Sequence, residues 1–259
     1  DIDSIYIGHC PERVLPGNIL NELIHNDRIV GGINEKSSRA IKEFYETFVK
    51  GSVIITDAAT AEMAKLTENS FRDVNIAFAN ELSMLCDDLS IDVNELISLS
   101  NHHPRVNILN PGPGVGGHCI AVDPWFIVSQ DPDNSRIIKT AREVNDSKPD
   151  WVVNKIKAAA DSINTKKVAC LGLAFKPDID DLRESPAKYI TQKVLQNANN
   201  ETHYIIEPNI KDHAIFKLTD YREATEKADI IAFLVAHDEF KLIEIPEGRV
   251  VLDFCGLNK

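Results

Sequence analysis

Residues 57 to 89 contain neither proline nor glycine. Asp57 can cap the start of a helix there, and Ala, Leu, Met, Glu and Lys dominate its first half. At ~1.5 Å per residue such a helix runs roughly 50 Å, more than a small domain needs. Its apolar positions (Ala61, Ala64, Phe71, Val74, Ala77, Phe78, Leu82 and Leu85) cover a wide arc instead of one stripe. A helix buried that broadly needs a second set of neighbours, and a second copy of the chain is the economical source. The stretch predicts a spine, and with it a homodimer.

The segments on either side of this spine differ. Ahead of it, "SIYIGHCPERVLPG" opens as a short strand and breaks at Pro11, Pro16 and Gly17. "DRIVGG" (27–32) reads as a brief strand, a helix follows from about Ser37 to Val49, and "SVIITD" (52–57) is a β-branched strand. These strands are too few for a sheet of their own and predict the last edge of a domain that begins upstream. The start at Asp1, without Met, carries the same expectation. Behind the spine, a helix is predicted from Val93 to Ser100. Most of "NHHPRVNILNPGPGVGGHCIAVDPWFIV" reads as loop, and a long helix from Ser135 to about Ile163 is kinked or divided by Pro149.

Then the period changes. "KKVACLGLAF" (166–175), "THYIIEP", "DIIAFLVAH" and "RVVLDF" read as strands, with helices at "SPAKYITQKVLQN" and "YREATEKA". Alternating units of this length predict a parallel, doubly wound sheet. The fold class expected is α/β, with parts at 1–56, 57–163 and 164–259.

A net charge of -12 without a Lys or Arg run argues against nucleic acid or an anionic membrane as partner. No apolar run approaches the 18 residues of a membrane span, and the amino terminus lacks a signal pattern. The five cysteines are odd in number and scattered, which suits free thiols in a reducing cytoplasm.

In "GPGVGGHCIAVDP" (112–124) four glycines and a proline lead into Cys119. Glycine permits conformations and close approaches that other residues cannot make, so a cysteine at its end is reachable. Polar His118 and Asp123 set it apart from Cys10, Cys86, Cys170 and Cys255, which read as small hydrophobes. Although His9-Cys10 and His118-Cys119 are both His-Cys pairs, neighbours in sequence rarely chelate one ion together. No C-x-x-C spacing exists either, so no metal site is predicted. A cysteine hydrolase with His102, His103 or His118 as base stays open, since such partners meet only in the fold. Lys65 and Asn69 share a helix face, where a cation and an amide can stabilise a developing oxyanion. "GLAFKPDIDDLRESPA" (172–187) leaves a strand and enters a helix, a phosphate-binding context with Lys176 and Arg183 as cations. It is neither a Walker loop nor a calcium loop.

Together with "CPERVLPG" (10–17), these segments resemble the UDP-glucose/GDP-mannose dehydrogenase family over essentially the whole chain. Within it they look most like the branch acting on UDP-N-acetyl-D-mannosamine in surface-polysaccharide synthesis; UDP-N-acetylglucosamine and UDP-glucose are the alternatives. The resemblance implies an NAD-binding Rossmann domain, a central helical dimerisation region and a second Rossmann-like domain for the UDP-sugar. The glycine fingerprint G-x-G-x-x-G is expected to be missing, since Gly172-Leu-Ala lacks its glycines. That implies a fragment without most of its NAD domain, inactive alone, and leaves open a non-catalytic dimeric UDP-sugar-binding module. The resemblance further implies Cys119 as the nucleophile that captures a C6 aldehyde. Asp123 then assists water or proton transfer, Lys65 and Asn69 hold the C6 oxygen, and Glu12 acts as acid/base. Arg13 (at the acetamido group), Arg105 (from a partner subunit), Asn107, Gly116, Gly117, His118, Phe175 and Lys176 are implied at the substrate, and Arg183 at the NAD diphosphate. Cys255 stands where relatives tend to show a basic residue and is given no role.

Overall fold

The computed structural model describes residues 5–14, 18–165, 167–196 and 203–257. Expectations on Pro16, Gly17, Lys166, Asn197 and Thr202 lie outside them. The chain divides into two compact units, residues 1–71 and 72–259, each described by itself.

In the N-terminal unit, strands β1 (Gly8–His9), β2 (Arg28–Gly32) and β3 (Val53–Asp57) form a sheet in that order. β1 pairs antiparallel with β2, and β2 parallel with β3. The expectation that these strands are too few for a sheet is therefore corrected. β2 and β3 are joined by helix α2 (Glu35–Glu46) as a complete crossover, and β1 adds an antiparallel edge. Val30, Val49 and Val53 form its core, with Ile41 and Tyr45 packed against them. The predicted helix begins two residues early because Asn34 accepts the Ser37 N–H at 2.8 Å and caps it. Helix α1 (Ile19–His25) was not anticipated. The spine is helix α3 (Ala58–Asp88). Asp57 caps it as expected, accepting from the Thr60 N–H at 2.9 Å and the Thr60 hydroxyl at 2.6 Å.

Beyond Arg72 come α4 (Val93–Asn101), α5 (Asp123–Gln130) and α6 (Arg136–Ser162). The segment expected to be mostly loop is loop through Val122 and ends in α5, begun by Pro124 in its first turn, where a missing N–H costs nothing. One correction arises here. Pro149 does not divide α6, which runs 27 residues through it. The second sheet has strands β4 (Val168–Leu171), β5 (His203–Ile206), β6 (Ile230–Phe233) and β7 (Val250–Asp253), ordered β5-β4-β6-β7 and all parallel. Helices α7 (Pro186–Leu195) and α8 (Tyr221–Lys227) complete the crossovers. One face packs Ile156 of α6 and Ile190 of α7 against Cys170 and Ala232. The other packs Ala224 of α8 and Phe240 against Leu171 and Phe233. The chain is thus a mixed α/β protein with a doubly wound parallel sheet. The run expected as strand to residue 175 stops at Leu171 because Gly172 turns to φ +99.

Candidate active site

Of the five cysteines, Cys119 alone is exposed. Burial pushes the Cys170 thiol up to about 12 and also raises Cys255 and Cys10. The Cys119 carbonyl accepts from the N–H groups of Val122 (3.0 Å) and Asp123 (2.8 Å). That turn feeds α5 and sets Asp123 as its first residue, one turn after the thiol.

Close packing fixes the glycine loop ahead of Cys119. A Cβ on Gly114 (φ +144) would lie 2.9 Å from the Pro149 ring and 3.0 Å from Pro186. One on Gly116 would lie 2.7 Å from both the Glu184 carbonyl oxygen and Phe175. Gly117 (φ +82) has its Cβ position 3.2 Å from the Phe175 ring. Side chains that escaped the sequence reading hold the head of the loop. The Gly112 N–H donates to Asn80 Oδ1 (2.8 Å), and Asn80 Nδ2 donates to Asn145 Oδ1 (2.9 Å). Asn145 Nδ2 in turn donates to Asp73, whose carboxylate accepts from Arg142. Asn80, Asn145, Asp73 and Arg142 are all buried. The signal available was a set of polar residues on otherwise apolar helix faces.

A second loop, residues 172–185, leaves the carboxyl end of β4. Phe175 is half-buried and Lys176 exposed. Arg183, expected at a diphosphate, is exposed and grips Asp181 through Nε (3.0 Å) and a terminal nitrogen (2.6 Å). These bonds hold the Asp181 carboxyl at about 2, with His118 adding a smaller share. His118 thus belongs to the same neighbourhood. The glycine loop, Phe175, Lys176, Arg72, Val235 and Cys255 line a cavity of about 400 Å³. Its lining has two cations and no carboxylate, which suits a ligand carrying negative charge. A larger groove of about 870 Å³ between α3 and α6 is lined mainly by apolar side chains such as Val74, Phe78 and Ile137, with Glu81 and Arg136 among them, and touches none of these loops. Arg105 and Asn107 are exposed on a segment pinned by Asn101, which accepts the Ile108 N–H (2.7 Å) and donates to its carbonyl (3.0 Å).

In the N-terminal unit, Glu12 accepts from buried Arg28 at 3.2 Å, and Arg13 pairs with Glu68 of α3 at 2.9 Å. That pair brings the Glu12–Arg13 segment beside the turn of α3 that carries half-buried Lys65 and buried Asn69.

The letters G-x-G-x-x-G do occur, against expectation, at Gly112, Gly114 and Gly117. No strand precedes them, so they are not the strand–turn–helix cradle of a dinucleotide. The helix start after β2 builds no such cradle either. Asn34 caps it, and the Gly32 N–H donates to Ser38 Oγ at 2.9 Å. The described residues hold no pyrophosphate cradle of their own.

Fold and loops together define a Rossmann-like α/β chain with an open thiol set among clamped glycines. The chain belongs to the UDP-glucose/GDP-mannose dehydrogenase family: residues 2–49 match its NAD binding domain, 59–147 its central domain and 169–257 its UDP binding domain. NAD is accordingly the cofactor to which the N-terminal part belongs. The chain is 57% identical over 262 residues to the UDP-N-acetyl-D-mannosamine dehydrogenase of Campylobacter jejuni, covering 98% of this chain and 63% of that protein. It is 54% identical to the NDP-N-acetyl-D-galactosaminuronic acid dehydrogenase of Ralstonia nicotianae, covering 98% and 61%. Among solved structures, the UDP-D-ManNAc dehydrogenase of Pyrococcus horikoshii superposes with a TM-score of 0.86 at 36% identity, covering 97% of this chain and 61% of that one. The chain therefore spans rather less than two thirds of these relatives. No helix among the described residues is long and apolar enough to cross a membrane.

Proposed function

We propose that this chain carries the substrate-oxidising part of an NAD-dependent UDP-sugar 6-dehydrogenase. Its substrate is UDP-N-acetyl-D-mannosamine and its product UDP-N-acetyl-D-mannosaminuronate, a building block for surface polysaccharide. The observation that carries this reading is the exposed Cys119 at the end of a clamped glycine loop that also walls the cation-lined cavity. The names of the relatives at 54–57% identity support the substrate class.

NAD supplies the acceptor for the two hydrides that leave C6. This chain's residues do the rest. The Cys119 thiolate adds to the C6 aldehyde and forms a C–S bond, giving an adduct that can be oxidised where the free aldehyde cannot. Water then cleaves the thioester, releasing the carboxylate and restoring the thiol, with Asp123 taking the proton. Lys65 and Asn69 hold the C6 oxygen while charge builds on it. Glu12 serves as acid/base, Arg13 meets the acetamido group once released from Glu68, and Arg183 turns to the NAD diphosphate. Residues 1–56 complete the NAD domain, 57–163 the dimerisation region and 164–259 the UDP-sugar domain. Exposed Phe71, Phe78 and Leu85 of α3 and Ile137 of α6 support a homodimer through that face, and the free thiols a cytoplasmic setting.

In the complete enzyme, Cys119→Ser and Cys119→Ala should abolish acid formation while the fold persists. Full turnover by either variant would remove Cys119 from the mechanism. A second reading rests on the missing pyrophosphate cradle: alone, these 259 residues form a dimeric module that binds UDP-sugar without turning it over. Calorimetry separates the two, since tight NAD binding by this chain contradicts the second.

A further inference from the structure

Glu207 stands one residue past β5 and His237 four past β6, both at the carboxyl ends of strands and both buried. Glu207 Oε2 accepts from the N–H groups of Leu173 (2.7 Å) and Ala174 (2.9 Å) and from His237 Nε2 (3.1 Å). Its other oxygen accepts from the Asn209 backbone N–H (3.0 Å) and side-chain amide (3.2 Å). His237 Nδ1 accepts from the Asp178 N–H (2.9 Å) and Asn209 Nδ2 (3.0 Å). With two donors aimed at Nδ1, the network assigns the ring proton to Nε2, facing the carboxylate. Asp178 Oδ1 closes the circuit by accepting the Asp238 N–H at 2.9 Å.

In a Rossmann-like sheet, the N–H groups just past the first strand are the ones that meet a dinucleotide pyrophosphate. Here a carboxylate from the same chain occupies them. The turn is therefore filled from within, closed to a dinucleotide and fixed at Leu173, Ala174 and Asp178. Between those fixed points lie Phe175 and Lys176, both in the wall of the cavity. Phe175 is also what two glycines of the cysteine loop pack on, Gly116 against its Cβ and Gly117 against its ring.

We propose that Glu207 and His237 are positioning residues of the sugar-nucleotide site: their buried carboxylate–imidazole pair holds the 173–178 turn so that Lys176 faces the cavity and Phe175 supports the cysteine loop. The proposal rests on the reading that this cavity takes the UDP-sugar.

Two variants of the 259-residue chain test it. Glu207→Gln keeps one acceptor oxygen but turns an amide NH₂ against N–H donors. His237→Gln can still donate to Glu207 but leaves the Asp178 N–H without its acceptor. Amide exchange of the 173–178 segment, compared with residues 152–160 of α6, reads the hold on the turn; calorimetry with UDP reads its consequence. For Glu207→Gln we expect faster exchange confined to the turn and UDP binding weaker by roughly tenfold, with a smaller change of the same kind for His237→Gln. A variant that melts at a lower temperature yet exchanges its turn and binds UDP like the parent overturns the proposal. Should Glu207→Gln fail to fold, His237→Gln decides by the same two readouts. A parent chain that binds no UDP refutes the reading of the cavity instead, and exchange in the variants still judges the hold on the turn.

Discussion

The Asp73–Arg142 pair makes the sharpest test of what the long helices contribute. Both side chains have zero exposure, and one Arg142 nitrogen lies 2.5 Å from Asp73 Oδ1. Arg142 also pairs with Asp146, which is half exposed. Burial raises the Asp73 carboxyl above the usual carboxylate range, and the Arg142 charge offsets this only in part. Desolvation therefore wins over attraction at this site. Asp73 Oδ2 and Arg142 Nε, moreover, have no hydrogen-bond partner among the described residues. Breaking such a pair from one side strands a buried charge and costs about 3–5 kcal/mol, whereas exchanging both for apolar groups of like volume is neutral or better. Arg142→Met and Asp73→Leu should each lower Tm by roughly 6–20 °C, at 2–4 °C per kcal/mol for a unit of this size. The double variant should melt close to the parent, because Asn145 keeps the Asp73 carbonyl at 3.1 Å as acceptor. Thermal melts of the four proteins complete the cycle. If the double variant loses as much as the two singles together, desolvation does not dominate and the reasoning fails.

Glycine replacements separate backbone strain from crowding. Gly172→Ala meets both, at φ +99 with its Cβ 2.5 Å from Val235, and should cost more than about 3 kcal/mol in denaturant unfolding. Gly248→Ala, at φ +81 with nothing within 4 Å, should cost only about 1 kcal/mol. A third measurement concerns acid. Hydrogen bonds from His237 and the backbone outweigh burial and hold the Glu207 carboxyl at about 2. Its folded value is depressed, so its contribution of about 3 kcal/mol is complete above roughly pH 4.5 and is lost as pH falls toward 2. Glu207→Gln should flatten stability against pH within that window and leave the slope above pH 5 unchanged.

Much of the architecture was legible because it rests on local rules. The absence of Pro and Gly from 57 to 89 and the cap at Asp57 give α3 within one residue at each end. The β-branched runs give β3 through β7, shortened where Gly172 turns the chain. What stayed hidden was of two kinds. Pro149 read as a breaker, yet it sits inside α6, where tertiary contact overrides propensity, and α5, opened by Pro124, was not anticipated. The N-terminal strands read as the edge of a larger domain, in keeping with a chain that spans under two thirds of its relatives, but counting strands missed that β2, α2 and β3 close a crossover by themselves.

The candidate site divides along the same line. Cys119 could be read because glycine chemistry is local and a thiol after a pliable stretch is conspicuous. Asn80, Asn145, Glu207 and His237 could not be read, because each acts on a backbone segment at least 32 residues away. A side chain that satisfies distant N–H groups leaves no period and no motif; it shows only as a polar residue where an apolar one is expected. Both loops that wall the cavity are held in this way, one by amides from the helices and one by a carboxylate from the sheet. Apolar contacts would fasten them too, but a methyl group tolerates a small slide that a hydrogen bond at 2.7–2.9 Å does not. On the function proposed above, a site that presents a thiol and a cation to one sugar gains register from such anchors, at the cost of burying polar groups that each need every partner they have.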